Sequence, residues 1–225
     1  REEPYEFFPT KEAGETQTIM RTLGIIRQIG IASIMSSTAL SAMSPYVYLG
    51  AGCYWGTEKY VKKDFQKLFP GSIKSAKVGF MNPDSNSKIV NPTYREVCTG
   101  RTGHVEVLYV ELADPMILEE LVKFFFMFHD PTTLNRQGND VGTQYASYIF
   151  TSDNEQMRIC ERVKKELQKH LDEDKIKSYS SDTITTQISS ATKFTEAEEA
   201  HQEYLMKNPN GYCNHGMRFS SWPSL

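Results

Sequence analysis

The chain has 225 residues, a formal net charge of −3 and 24% charged residues. That balance argues against a broad phosphate-binding footprint, and no run reaches the roughly 18 apolar residues of a membrane span, so neither nucleic acid nor membrane is an expected partner. Four cysteines, Cys53, Cys98, Cys160 and Cys213, stand in no CxxC or zinc-like spacing and read as free thiols, one or two of them reactive.

Residues 1–17 are polar and interrupted by Pro4, Pro9 and Gly14, an irregular arm. Thr18 to Leu40 reads as a helix broken near Gly30. Within Met20 to Met43 there are spaced Arg, several Ser and Thr and no acid, which suits a helix packed on the domain or, alternatively, an organelle-targeting remnant. The expected compartment is the cytoplasm, with a mitochondrion or plastid as the alternative.

Tyr46 to Leu49 is the first strand. It runs into the small-residue turn Gly50-Ala51-Gly52, then Cys53, then a helix Gly56 to Phe69 whose apolar face is Trp55, Tyr60, Val61, Phe65 and Leu68. Pro70-Gly71 closes it. Ile73 to Phe80 alternates as a strand, Met81 to Pro92 is a polar loop, and Tyr94 to Gly100 is a loop or short turn. Gly103 to Leu112 is a strand near the sheet centre, with Glu106 on the face opposite Val105. Asp114 caps, and Pro115 opens, a helix to about Phe128 that carries Phe124-Phe125-Phe126.

Thr132 to Thr143 is a Gly- and Asn-rich loop of the kind that carries function. Tyr145 to Phe150 is a strand, and Ser152 or Asp153 caps a helix to about His170, with Cys160 structural. Thr183 to Ile188 is a short strand. Thr195 and Glu198 form a capping box for a helix to Met206, ended by Asn208-Pro209-Asn210-Gly211. The tail from Tyr212 lacks periodicity and holds Cys213 in a mobile setting. The order predicts an α/β (α+β) fold: a two-layer sandwich with a mixed sheet and a ferredoxin-like core with extensions. Residues 1–45 are an N-terminal extension, 46–207 the catalytic domain and 208–225 the tail.

The chemistry centres on Cys53. A cysteine at the first turn of a helix meets unpaired N–H groups and the positive end of the dipole, which favour a thiolate. From the residues alone, a buried core cysteine is an equal reading. Glu106 could be a solvent-facing strand residue, Tyr94 and Tyr145 packing aromatics, and Asp140 a turn residue.

Three blocks carry a resemblance. GCYWG at Gly52 to Gly56 is similar to the GCFWG motif of the peptide methionine sulfoxide reductase A family, with Tyr54 for the usual Phe. NPTYREVCTGRTGHVEV at Asn91 to Val107 and HDPTTLNRQGNDVGTQYASYIF at His129 to Phe150 resemble two further family blocks, and the likeness spans about Val47 to His215. It implies that Cys53 is the nucleophile attacking the sulfoxide sulfur and that Tyr54 and Trp55 cup the S-methyl group. Glu106 would protonate the sulfoxide oxygen, Tyr94 and Tyr145 hydrogen-bond it, and Asp140 support substrate binding and the active-site network. Cys213 matches a resolving cysteine.

The implied reaction reduces methionine S-sulfoxide, free or in proteins, through a Cys53 sulfenic acid and a Cys53–Cys213 disulfide. Thioredoxin, or dithiothreitol in its place, reopens the disulfide, with no metal or organic cofactor and with a monomer as the expected state. The alternatives are another cysteine-nucleophile enzyme such as a thiol hydrolase, which would need a histidine base, and a non-catalytic binder of oxidised methionine. The chain departs from the family pattern at Gly79-Phe80-Met81-Asn82, where a richer glycine run is usual, in an enlarged loop Pro83 to Val90, and in having no cysteine after Cys213.

Overall fold

A computed structural model describes residues 43–224. The expected helix Thr18 to Leu40 and nearly all of the expected extension 1–45 lie outside the described residues.

Strand β1 (Tyr46–Ala51) is followed by helix α1 (Tyr54–Lys59), which continues through a π-helical stretch, Tyr60–Phe65, to a last α turn, Gln66–Leu68. Next come β2 (Ile73–Met81), α2 (Tyr94–Cys98), β3 (Val105–Leu112) and α3 (Leu118–Phe128), the last preceded by a 3₁₀ turn that Asp114 caps. A small ribbon, β4 (Arg136–Gln137) with β5 (Asp140–Val141), leads to β6 (Ser147–Thr151) and α4 (Asn154–Asp172). Strands β7 (Gln187–Ser190) and β8 (Phe194–Glu196) and the short helix α5 (Tyr204–Lys207) complete the set. The six-stranded sheet runs β7-β6-β1-β3-β2-β8, with β6 and β7 parallel and every other neighbour antiparallel. This is the mixed α/β sheet with flanking helices that the pattern predicts.

Alternation along β3 divides the two faces. Leu108, Val110 and Leu112 join the main core with Val47, Leu49, Phe65, Leu121, Phe125 and Leu167. Val105 and Val107 point the other way, into a smaller cluster with Met81 and Phe150. Glu106 has the parity of Leu108, so a strand with period 2 carries it into the helix-covered layer.

The Phe124-Phe125-Phe126 run needs cover on more than one side, because consecutive helical residues point about 100° apart. The cover comes from the sheet, from Tyr179, whose hydroxyl donates to Phe126 O, and from the tail, where Gly216 N–H and Arg218 N–H donate to Phe128 O and Met127 O. The irregular tail is thereby tied to the end of α3, which replaces the mobile setting expected for Cys213 with an ordered one.

Several expectations are corrected. Leu68 is 62% exposed instead of core, because the i→i+5 bonding of the π stretch shifts the phase of the apolar face. Within Tyr94 to Gly100, where a loop or turn was expected, Tyr94–Cys98 is a helix, since Thr93 and Glu96 form a reciprocal capping box. Thr195 and Glu198 do not form one. Thr195 pairs with Phe80 at the edge of the sheet, and edge pairing wins over the cap. The expected helix to Met206 is a 3₁₀ turn, Glu199–His201, and α5, separated by Glu203 at φ 57. The strand expected at Thr183 to Ile188 forms at Gln187–Ser190, and the strand expected from Tyr145 starts at Ser147, with Tyr145 ending a 3₁₀ turn. Cys98 is exposed, while Cys160 is fully buried, as a structural residue should be.

Burial on the central strand sets a simple contrast. Leu108→Ala removes a fully buried side chain and should cost about 2–5 kcal/mol. Lys77→Ala removes one partner of an exposed pair with Glu196 and should change stability by less than about 1 kcal/mol. Urea denaturation of the two variants checks the order, and equal losses would contradict this account of the core.

Candidate active site

The site forms where β1 ends and α1 begins. Gly52, at φ 89, turns the chain in the left-handed region, and a Cβ there would collide with the Gln137 side chain. Cys53 follows as the N-cap of α1, at φ −56 and ψ 124, and is 8% exposed. The next amide, Tyr54 N–H, donates to Glu106 Oε2 at 3.0 Å. One hydrogen bond thus satisfies an N–H at the helix start and draws the acid of the central strand up to the thiol.

The electrostatics follow from this packing. Glu106 is 1% exposed, and burial pushes its carboxyl from 4.5 up to about 8, although the Tyr54 amide pulls the other way. The acid therefore keeps its proton at neutral pH. Burial also raises the Cys53 thiol well above the ordinary range, and Glu106, once ionised at higher pH, adds to the rise. A hydrogen bond from the Trp55 backbone opposes them and does not prevail. The helix start alone suggests a lowered thiol pKa; the structure reverses that, because desolvation beside a carboxyl outweighs one turn of amide dipoles.

Tyr94 and Tyr145 converge on the same acid. Both hydroxyls are raised chiefly by burial, with Glu106 a further contributor to each. Tyr94 opens α2 and is placed by the capping box of Thr93 and Glu96. Cys98, one turn along that helix, also contributes to raising the Tyr94 hydroxyl. Tyr54 is 1% exposed, and among the described residues its hydroxyl has no hydrogen-bond partner. Its pKa is raised by burial, then by Glu106, Tyr94 and Cys53, so the hydroxyl lies among the groups of the site.

Trp55 stacks on Tyr204 at 3.9 Å between ring centroids and lies beside the His201 ring at 5.8 Å. His201 also meets Tyr94 at 4.3 Å and Tyr54 at 5.8 Å. Glu58 braces this wall. Its buried carboxylate accepts from Glu203 N–H at 2.7 Å, and Lys62 bonds Glu203 Oε1 at 2.5 Å. Neither His201 nor Glu58 is found by reading the motif. Only the stacking of α1 against α5 brings them in, and no local pattern in the sequence signals it.

The tail closes the other side. Asp140, on β5, accepts from Tyr212 Oη at 3.0 Å and from Asn214 Nδ2 at 2.9 Å, and it contributes to raising both Cys53 and Glu106. Cys213 lies between these two anchors, close enough that its charge also raises Cys53. His215 Nε2 bonds Ala51 O at 2.6 Å. Its Nδ1 lies 3.7 Å from Cys213 Sγ. The structure thus brings Cys53, Tyr54, Glu106, Tyr94, Tyr145, Asp140 and Cys213 into one region, with Trp55 on its flank. The His215 nitrogens are occupied by Ala51 and Cys213, which leaves that ring unsuited to serve Cys53 as the base of a thiol hydrolase. Among the described residues no group of His, Cys, Asp and Glu is arranged to hold a metal ion.

Residues 45–221 match the family described as peptide methionine sulfoxide reductase. The chain is 40% identical over 175 residues to a probable peptide methionine sulfoxide reductase of Schizosaccharomyces pombe, covering 76% of this chain and 95% of that protein. It is also 40% identical over 210 residues to peptide methionine sulfoxide reductase MsrA of Photobacterium profundum, covering 91% and 92%. Among solved structures it is similar to Mxr1 from Saccharomyces cerevisiae in reduced form, with a TM-score of 0.66, 36% identity and coverage of 79% and 94%. Methionine sulfoxide reductase A of Corynebacterium diphtheriae matches with a TM-score of 0.61, 37% identity and coverage of 76% and 78%. With the site geometry and these likenesses in agreement, the chain belongs to the peptide methionine sulfoxide reductase A family.

Proposed function

We propose that the protein reduces methionine S-sulfoxide, free or within proteins, to methionine by thiol chemistry. The observation that carries this reading is a buried, protonated carboxyl held beside a buried thiol by a backbone hydrogen bond. A sulfoxide oxygen leaves poorly until it is protonated, and an acid with its pKa near neutrality is suited to supply that proton.

Cys53 Sγ attacks the sulfoxide sulfur while Glu106 donates its proton to the oxygen. Tyr94 and Tyr145 donate hydrogen bonds to that oxygen, and the rings of Tyr54 and Trp55 receive the S-methyl group through contacts worth about 0.3–1.5 kcal/mol each. The protonated oxygen then passes to the Cys53 sulfur: a Cys53 S–O bond forms as the new S–S bond and the methionine S–O bond break, so methionine leaves and Cys53 becomes a sulfenic acid. The Glu106 carboxylate is then available for the proton given up by the thiol, so its own proton is restored for another turn. Cys213 condenses with the sulfenic acid to form a disulfide and water. A dithiol protein of the thioredoxin type, or dithiothreitol, reduces the disulfide by exchange. Asp140 anchors the tail that carries Cys213 and supports substrate binding from the same position. Burial of Glu106 against an aromatic-lined thiol favours this reading over a passive binder, which would have no need of a protonated acid there.

Three outcomes are expected. Cys53→Ser should abolish methionine formation from the S-sulfoxide with dithiothreitol; activity within tenfold of wild type would remove the nucleophile from the scheme. Glu106→Gln should lower kcat by about 10²–10⁴ and erase the decline of the wild-type rate above pH 8, as pH–rate profiles of both proteins would reveal. Stability should respond to the same carboxyl. Its folded pKa, about 8, lies above the ordinary 4.5, so its contribution is full below about pH 4.5 and is lost as pH rises through about 8. Urea midpoints at pH 5 and pH 8.5 should therefore differ more in wild type than in Glu106→Gln, and equal differences would place the titration elsewhere.

A further inference from the structure

The tail residue beside Cys213 does more than fill space. His215 Nε2 bonds Ala51 O at 2.6 Å, and a carbonyl can only accept, so Nε2 carries the hydrogen. In a neutral ring that leaves the lone pair on Nδ1, the nitrogen 3.7 Å from Cys213 Sγ. The ring is locked in place. A Cβ at Gly56 would collide with its Nδ1, Cε1 and Cγ, so the imidazole occupies the room that the second motif glycine leaves open. Tyr60 and Phe128 flank the ring at 6.2 and 5.8 Å. The unprotonated nitrogen of a fixed, half-buried imidazole therefore faces the thiol of the tail.

We propose that His215 is a catalytic residue of the disulfide-forming half of the cycle, accepting the Cys213 thiol proton at Nδ1 as Cys213 attacks the oxidised Cys53. The inference rests on the proposed function, and it deepens it by giving the second cysteine its own base. The step balances. The Cys213 S–H bond breaks and its proton passes to Nδ1. The sulfur pair forms the S–S bond to Cys53 while the S–O bond breaks. The departing hydroxide takes a proton, returned from the imidazolium, and leaves as water. Cys213 is oxidised and the Cys53 sulfenic sulfur is reduced, so no outside oxidant or reductant enters.

The charged and titratable groups acting around the ring agree with this role. Lys59 and Arg218 disfavour a cationic imidazole, His129 stands behind it, and burial is the largest influence, leaving His215 with a pKa of about 4. The lone pair is thus present throughout the working range. A strong base is unnecessary, because the thiol proton becomes acidic as its sulfur begins to bond to Cys53. A thiol must give up its proton to become a good nucleophile, so an acceptor held beside it speeds its attack.

The test is a single turnover of the full chain with methionine sulfoxide and no reductant, comparing wild type with His215→Gln, whose amide can keep the bond to Ala51 while Nδ1 is lost. Methionine release and loss of free thiols are followed separately. At pH 7 the ratio of disulfide formation to methionine release should fall by at least about tenfold in the variant, with trappable sulfenic acid accumulating. The variant's disulfide rate should climb about tenfold per pH unit from pH 6 to 8, where the wild-type rate is flat. A purely structural role would leave that slope unchanged. Wild type that releases methionine, with a variant matching its disulfide rate and slope, overturns the inference alone; wild type that releases none removes the proposed function and the inference with it. A ¹⁵N histidine spectrum of wild type gives a reading independent of how the variant folds. The Nε2–H tautomer of His215 is expected between pH 6 and 8, and an Nδ1–H tautomer or an imidazolium overturns the proposal.

Discussion

The hydrogen bond from Tyr54 N–H to Glu106 Oε2 joins the two parts of the molecule on which the chemistry depends. On one side is the first turn of a helix, which must find acceptors for its free amides. On the other is an acid on the central strand, which must find donors if it is to be buried. Each meets the other's need. The bond cannot supply all that an ionised carboxylate would demand, so burial resolves the shortfall by keeping the proton on Glu106. The thiol beside it is held neutral by the same desolvation. A resting site with two neutral acids is suited to a substrate whose oxygen must gain a proton as its sulfur is attacked.

The two glycines of the motif have different duties, and both concern neighbours from elsewhere in the chain. Gly52 supplies a left-handed turn and gives way to Gln137, while Gly56 gives way to His215. The tail is therefore packed into the helix that carries the nucleophile. Asp140 holds it through Tyr212 and Asn214, Ala51 through His215, and the end of α3 through Gly216 and Arg218. These contacts explain how a stretch without periodicity is ordered: its backbone and side chains bond to elements already fixed by the core. On the opposite flank, the Glu58–Glu203–Lys62 group fixes the segment that stacks Tyr204 and His201 on the Trp55 side.

Strands and helices with regular periods were legible before any coordinates. The β3 alternation, the Asp114-Pro115 start and the long helix capped by Asp153 all follow from local rules that tertiary contacts reinforce. Legibility failed where two local rules competed. Thr93 with Glu96 and Thr195 with Glu198 show the same cap spacing, yet only the first caps a helix. Thr195 lies next to an unpaired strand edge, and its backbone bonds to β2 instead. Leu68 fits a uniform helical face but falls beyond a π stretch that no periodicity reveals.

The sequence by itself determined the residue chemistry: a cysteine bounded by glycines and aromatics, an acid in a strand, a second cysteine near the end, and three blocks resembling one family. Whether Glu106 was wet or dry, and whether Cys53 was a thiolate or a thiol, depended on tertiary structure. Parity told only that Glu106 opposes Val105, and both faces of β3 are apolar. The fold chose the helix-covered face and laid the α1 terminus over the acid, and only that packing sets the desolvation that moves both pKa values. The same holds for His215. Its distance from Cys213 along the chain was plain, but the nitrogen that bears the proton is decided by Ala51, a residue 164 positions away.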